Sequence, residues 1–111
     1  MGVVPVNSNV TVTTAGTSVR AVSAPTYADA IYFEALGGNS SYIYIGLSDV
    51  SSTKYIARLA AGQGISLSAN TQGRVGTASG GAQLQVNSYY VDAGANSQSV
   101  MLTYFPRVGS A

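Results

Sequence analysis

Apolar and polar residues alternate along most of the chain, which is the pattern of β-strands with one buried face. In the clearest run, Ile31, Phe33 and Ala35 alternate with Tyr32 and Glu34. Similar short runs recur and are separated by clusters of Gly, Asn, Asp and Pro, which are typical of turns. The pattern predicts an all-β chain that forms a single β-sandwich of about seven to eight short antiparallel strands. Jelly-roll and immunoglobulin-like strand orders both satisfy this alternation, so the choice between them stays open.

The runs also indicate how the chain is organised. A length of 111 residues is typical of one domain, so residues 1–111 are expected to form a single sandwich. Residues 1–14 are predicted to be either an extended N-terminal arm or the first strand. Residues 41–46 are expected to pair with the preceding strand as a hairpin, and residues 55–61 are the one stretch with some helical character. The Gly-, Ser- and Asn-rich residues 70–81 predict a loop that is mobile or ordered by a partner.

The last apolar run differs from the others because both of its faces are largely apolar. A strand of this kind is expected at the centre of a sheet or beneath a partner protein. One face would carry Val100, Leu102 and Tyr104, and the other would carry Met101, Thr103 and Phe105.

Composition narrows the chemistry that the chain can perform. It contains neither cysteine nor histidine, which excludes disulfides, thiolate nucleophiles, Cys-ligated metals and the usual general base near neutral pH. Charged residues make up 8% of the chain, against about 25% in an average soluble domain. A surface with so little charge favours association with another protein. The net charge of +1 and the scattered basic residues argue against nucleic acid as a partner, and no apolar stretch is long enough to span a membrane.

The remaining candidates for catalysis or metal binding are four carboxylates, Asp29, Glu34, Asp49 and Asp92. A glycosidase would need two of them facing one another across a sugar, and calcium would need a clustered ligand spacing that the sequence lacks. Turn and surface roles explain these carboxylates more simply. The Gly62-Gln63-Gly64 sequence lacks the third glycine and the following helix of a nucleotide-binding loop, so it indicates a turn. We therefore expect a protein that is not an enzyme and that uses no cofactor or metal.

Eight tyrosines are the most suggestive feature for binding, since tyrosine offers a large contact area with a polar tip. Tyr32, Tyr42 and Tyr44 are predicted to share one sheet face. That face is either the half-buried cover of a second sheet, a protein contact, or a platform on which sugars stack. With the last strand included, the predicted interaction residues are Tyr32, Tyr42, Tyr44, Tyr104 and Phe105.

The stretch from Asn39 to Leu67 resembles a pattern of small phage virion proteins. The pattern consists of an Asn-containing turn, the strand Tyr42-Ile43-Tyr44-Ile45-Gly46, the sequence Val50-Ser51-Ser52-Thr53, and a segment of the form L-x-x-G-x-x-I/V-S-L that runs here from Leu59 to Leu67. The later sequence Tyr90-Val91-Asp92-Ala93-Gly94, with the strand that follows it, is similar to the C-terminal hairpin of the same group.

This resemblance implies a capsid decoration, or cement, protein that sits on the outer capsid surface of a virion, where subunits of the major capsid protein meet. It also implies a homo-oligomer, either a dimer or a trimer, because the shell is symmetric. Residues 1–14 could then add a strand to a neighbour. The alternatives are a tail or fibre component and, in a different class, a carbohydrate-binding module that uses the tyrosine face.

Overall fold

The computed structural model describes residues 5–68 and 84–106, in which nine strands form two antiparallel sheets. The strands are β1 (Val6–Val12), β2 (Val19–Arg20), β3 (Tyr27–Ala35), β4 (Ile43–Gly46), β5 (Ala57–Leu59), β6 (Gly64–Ser68), β7 (Leu84–Gln85), β8 (Tyr90–Ala93) and β9 (Gln98–Pro106). The first sheet has the order β1-β9-β3-β6, with β7 also paired to β3, and the second sheet has the order β2-β8-β4-β5. A short 3-10 turn at Val86–Ser88 separates β7 from β8.

The strand pairs are nested within one another. β1 pairs with β9, β2 with β8, β3 with β6 and β4 with β5. Rolling up one long antiparallel hairpin produces nested pairs of this kind, with successive pairs lying in alternate sheets. This is the connectivity of a jelly roll. The prediction of a β-sandwich is confirmed. Of the two strand orders that the sequence left open, the chain adopts the jelly roll.

The core lies between the two sheets, and the alternation along each strand explains which side chains enter it. In β3, Ile31, Phe33 and Ala35 are fully buried while Tyr32 between them is exposed. The Phe33 ring meets the Tyr89 ring edge-on, with 6.4 Å between the ring centroids. The other strands contribute the fully buried side chains Val12, Ile43, Ile45, Val91, Val100 and Leu102.

Strand β9 lies at the centre of the first sheet, between β1 and β3, which confirms the position predicted from its two apolar faces. Val100 and Leu102 are fully buried, and Tyr104 packs half-buried against the same core. The opposite face of β9 points away from the second sheet, and Phe105 on that face is 41% exposed.

The predicted hairpin between β3 and β4 is wrong, because β3 belongs to the first sheet and β4 to the second. Two side-chain amides hold the crossing between the sheets. The side chain of Asn39 accepts a hydrogen bond from the Ser99 N–H at 2.9 Å and donates one to the Ser99 carbonyl at 2.8 Å. Oε1 of buried Gln98 accepts from the backbone N–H groups of Ser40 and Ser41, at 2.7 and 3.1 Å. These bonds replace the ladder of a hairpin, and they could not be predicted because alternation does not encode which sheet a strand joins.

Three further segments can be compared with the sequence pattern. Residues 55–61 contain β5 rather than a helix, because Ala57 and Leu59 pair with β4 and turn toward the core. Residues Val6–Val12 form β1 and pair with β9 in the same chain. The predicted loop at 70–81 and the first four residues lie outside the described residues. Within the described ranges, no helix is long or apolar enough to cross a membrane.

Candidate interaction surface

The outer face of the second sheet carries two rows of tyrosine and arginine side chains. Because Ile43 and Ile45 turn into the core, Tyr44 between them points outward. The register of the strands places Tyr44 between Arg58 and Asp92, in one row. The next row contains Tyr90 beside Arg20, and two tyrosines that flank the strands complete the set. We call the following residues the tyrosine–arginine face: Arg20, Tyr42, Tyr44, Tyr55, Arg58 and Tyr90.

Tyr44 is the centre of the tyrosine–arginine face. Its ring lies 5.3 Å from the ring of Tyr55 and 6.5 Å from the ring of Tyr42, measured between centroids. Tyr44 is 8% exposed, whereas Tyr42 and Tyr55 are each 42% exposed. It therefore contacts both exposed rings and holds them in place before a partner binds. Binding then costs less side-chain entropy.

Both arginines of the face stack on tyrosines. The guanidinium carbon of Arg58 lies 4.3 Å from the centroid of the Tyr42 ring, and that of Arg20 lies 5.3 Å from the centroid of the Tyr90 ring. Nε of Arg20 also donates a hydrogen bond of 2.9 Å to the Tyr90 hydroxyl. A guanidinium held over a ring keeps most of its N–H donors for a partner, so the arrangement suits the recognition of carbonyl and carboxylate oxygens.

The loop of residues 47–56 extends this face and depends on a glycine beneath it. A Cβ at Gly46 would lie 2.9 Å from Cγ2 of Val50 and 3.4 Å from Cα of Tyr55, so glycine lets the loop settle on the sheet. Ser51 and Lys54 close the loop with two backbone hydrogen bonds of 2.8 and 3.2 Å. The position of Tyr55 on the face is therefore set by the close approach of the loop to the sheet.

The cations of the described residues, Arg20, Lys54 and Arg58, all lie on this side of the sandwich. Nζ of Lys54 lies 2.7 Å from a carboxylate oxygen of Asp49, and both side chains are well exposed. This hydrogen bond, together with the charge of Lys54, lowers the pKa of Asp49 below its ordinary value, and the same pairing raises the pKa of Lys54. Lys54 is thus paired with Asp49 within the same loop. The two arginines are therefore the charged groups that the face offers to a partner.

Shallow recesses lie on both sides of Leu47. One of about 450 Å³ is lined by Arg20 and Tyr90, among others, and one of about 100 Å³ is lined by Tyr55 and Ile56. Leu47 and Ile56 are each 51% exposed. Exposed Leu47 and Ile56 therefore lie beside Arg20 and the tyrosines of this face. Aromatic residues and arginine are enriched at protein interfaces.

The structure separates the five residues that the sequence predicts as an interaction surface. Tyr42 and Tyr44 belong to the tyrosine–arginine face, but Tyr32 lies on the outer face of the first sheet. The prediction that these three residues share a face is wrong, because the chain crosses between the sheets after β3. Phe105 shares the outer face of the first sheet with Tyr32, and Tyr104 is turned toward the core.

The outer face of the first sheet presents aromatic surface in a more isolated form. A Cβ at Gly64 would overlap the hydroxyl and ring carbons of Tyr32, so this ring lies across strand β6. Tyr32 is 38% exposed. Among the described residues, neither Tyr32 nor Phe105 is stacked on another ring or on a cation. The second sheet, in contrast, gathers its tyrosines and arginines into one group.

The sequence analysis missed Arg20, Tyr55, Arg58 and Tyr90. A signal for Arg58 exists, because a strand whose neighbouring Ala57 and Leu59 point inward must point Arg58 outward. The sequence analysis does not use this signal because it assigns helical character to residues 55–61. Tyr55 and Tyr90 lie in a loop and at a strand end, where alternation predicts little.

Asp92 and the glycine pair have structural roles. A carboxylate oxygen of Asp92 accepts hydrogen bonds from the backbone N–H groups of Gly16 and Ala93, at 2.9 and 2.8 Å. Gly62 has a φ of +84° in the turn between β5 and β6, as the turn interpretation of the glycine pair requires. In the part of the chain that the structure describes, no three Asp, Glu, His or Cys side chains are grouped so that they could hold a metal ion.

Comparisons of the chain with protein-family models, with curated proteins and with solved structures found no significant match. Its function is therefore argued from the side chains and their arrangement.

Proposed function

We propose that the chain is a non-enzymatic structural protein of a virion, and specifically a capsid decoration protein that seats its tyrosine–arginine face on the shell of major capsid protein. The observation that carries the proposal is this face itself. Tyrosine and arginine are the residues that most often dominate the binding energy of protein interfaces. Here their contacts within one chain hold them in place before binding, so docking costs less side-chain entropy.

The segment that resembles phage virion proteins builds much of this face. The stretch from Asn39 to Leu67 includes β4, the loop of residues 47–56 and β5, and it supplies Tyr42, Tyr55 and Arg58. The jelly roll is itself a recurrent architecture of viral capsid proteins, although lectins also use it. A charged content of 8% suits a surface that partners cover.

The charges of the face indicate the kind of shell surface that it would meet. Arg20 and Arg58 would bind carboxylate or carbonyl oxygens of the shell. The half-exposed Leu47 and Ile56 would pack against an apolar patch of the shell that lies between those oxygens. Each contact of this kind is modest. Repetition over many symmetry-related sites would nevertheless give high occupancy of the shell.

The proposal is tested by binding of the purified chain to expanded shells of the major capsid protein that is encoded with it. The wild-type chain is expected to sediment with the shells and to raise the temperature at which they disassemble. The double variant Tyr42→Ala/Arg58→Ala removes one stacked pair and should weaken binding at least about 10-fold, since residues of this type contribute about 2 kcal/mol or more at interfaces. Tyr32→Ala, on the opposite outer face, is the matched control and should bind like the wild type.

Two outcomes would contradict the proposal. A wild-type chain that neither binds nor stabilises the shells would overturn the decoration role. A loss of binding in Tyr32→Ala, with normal binding in the double variant, would assign docking to the first sheet instead. A tail or fibre component would be recognised by labelling at a single vertex of the virion.

A carbohydrate-binding module is the second candidate, and a recess of about 300 Å³ beside Tyr42 favours it. However, most of the polar groups that line this recess already form hydrogen bonds within the chain. Gln98 occupies the backbone N–H groups of Ser40 and Ser41, and both side-chain polar atoms of Asn39 are bonded to β9. A glycan array decides between the candidates: a signal that Tyr42→Ala abolishes without unfolding would support sugar binding, and a flat array would reject it.

A further inference from the structure

Among the described residues, the first sheet has a long open edge at β1. This strand is the outermost of its sheet and pairs with β9 over 7 consecutive residues without a bulge. The other edge strands β2, β5, β6 and β7 have 2, 3, 5 and 2 residues. Natural sheet edges are usually blunted by Lys, Pro, a bulge or a short strand, because a free edge is a template for another strand. The sequence of β1, Val-Asn-Ser-Asn-Val-Thr-Val, contains no charge and no proline.

The hydrogen bonds of β9 show which backbone groups of β1 face the open edge. The carbonyl of Ser99 accepts from the N–H of Leu36 at 3.2 Å, on the side of β9 that faces away from β1. Ser99 is the register partner of Thr11, so β1 and β9 exchange no backbone hydrogen bonds at this pair. Because these positions alternate, Asn7, Asn9 and Thr11 direct their N–H and C=O groups to the open edge. Among the described residues, no strand pairs with that edge.

The side chains of β1 suit pairing with a second copy of the same strand. About Asn9, the segment has a polar residue on both sides at Asn7 and Thr11 and a valine at both ends, while Ser8 corresponds to Val10. Antiparallel pairing about this residue places Asn7 opposite Thr11 on the outer face. On the inner face it places Val6 opposite Val12, with Ser8 opposite Val10 between them. Polar side chains then meet polar ones on the outer face, and valines meet at each end of the inner face. The absence of charge in β1 removes the like-charge repulsion that protects many other edges.

We propose that the chain forms a two-fold symmetric dimer in which two β1 strands pair antiparallel and join the two first sheets into one continuous sheet. Three outward-facing residues from each copy, Asn7, Asn9 and Thr11, would exchange about six main-chain hydrogen bonds. The interface uses the same patch on both copies, as a closed dimer requires. The paired strands belong to the first sheet, so this proposal is independent of the function proposed for the tyrosine–arginine face.

Sedimentation and amide exchange test the dimer on the unmodified chain. The mass should rise with concentration from 11.3 kDa toward twice that value in analytical ultracentrifugation. In the dimer, the amides of Asn7, Asn9 and Thr11 should exchange with deuterium at least about 10-fold more slowly than in a diluted, monomeric sample. A chain that stays monomeric at millimolar concentration would overturn the proposal. So would a dimer in which these three amides exchange as fast as in the monomer.

A charge variant tests the two-fold axis directly. Asn9→Lys would bring two ammonium groups together on the two-fold axis of the dimer. In the monomer this side chain is exposed, so the substitution should not disturb the fold. The dissociation constant should rise at least about 10-fold, and by less in high salt, which screens the repulsion. Ser66→Lys adds the same charge to the same sheet face at the opposite edge and should leave the dimer intact. Thermal unfolding checks that both variants fold; a folded Asn9→Lys variant that dimerises normally would overturn the proposal.

Discussion

Gln98 is the side chain on which the crossing between the two sheets depends most, and its replacement by alanine should destabilise the protein strongly. Gln98 is 5% exposed. Its Oε1 accepts from the N–H groups of Ser40 and Ser41, and its Nε2 donates to the Asn96 carbonyl at 2.9 Å and to the Ser40 hydroxyl at 3.2 Å. Gln98→Ala removes all of these bonds at once and leaves two partly buried backbone N–H groups without an acceptor.

The size of the effect follows from this inventory. A hydrogen bond within a protein contributes about 1 kcal/mol net, and an unsatisfied buried donor costs somewhat more. The free energy of unfolding should therefore fall by about 2 to 4 kcal/mol. Domains of this size have total stabilities of about 5 to 15 kcal/mol, so the loss would be a large share of the whole.

Urea unfolding followed by circular dichroism measures this loss. With a slope of about 1 to 2 kcal/mol per molar urea, the midpoint should fall by about 1 to 4 M. Gln85→Ala replaces an exposed glutamine at the edge of the first sheet and should change the stability by less than about 0.5 kcal/mol. Equal midpoints for the two variants would refute the role assigned to Gln98.

Further predictions concern the face, the core and the surface ion pair. Gly46→Ala should lower the unfolding free energy by about 1 to 2 kcal/mol in urea titrations, because its Cβ would press on the overlying loop, whereas Gly38→Ala, which meets nothing within 4 Å, should change little; equal effects would contradict the packing argument. Phe33→Ala should lower the unfolding free energy by about 3 to 5 kcal/mol in thermal melts, and a loss below 1 kcal/mol would contradict its place in the core. The pKa of Asp49, measured by NMR titration, should lie below its ordinary value and return toward it in Lys54→Met. Because the pKa of Asp49 is lower in the folded chain than in the unfolded one, the pair stabilises the fold above the unfolded pKa, and this contribution disappears as the pH falls through the folded pKa. An unchanged Asp49 pKa in Lys54→Met would exclude the pairing.

The alternation of apolar and polar residues correctly predicted the features that depend on a single strand, namely which of its side chains are buried and whether both of its faces are covered. Ile31, Phe33 and Ala35 enter the core as expected, and β9 lies at the centre of its sheet because both of its faces are apolar. Alternation failed where the answer depends on which strands become neighbours. The crossing held by Asn39 and Gln98 is an example, since its hydrogen bonds join residues that are about 60 positions apart in the sequence.

The candidate surface was predictable only in part for the same reason. Tyr42 could be identified from its residue type, because tyrosine is frequent at interfaces. Alternation with Ala57 and Leu59 could have placed Arg58 on the outer side of its strand. Its stacking on Tyr42 could not be predicted, since that depends on the pairing of β4 with β5. The grouping of tyrosines with arginines is thus a product of the jelly-roll topology rather than of any local motif.

The most direct test of the docking proposal is the position and orientation of the chain on the virion that contains it, measured by cryo-electron microscopy. The proposal predicts copies on the outer surface of the shell, at contacts between major capsid subunits, with the second sheet and its tyrosine–arginine face turned toward the shell. Copies confined to a single tail vertex, or copies on the shell with the second sheet turned toward the solvent, would contradict it.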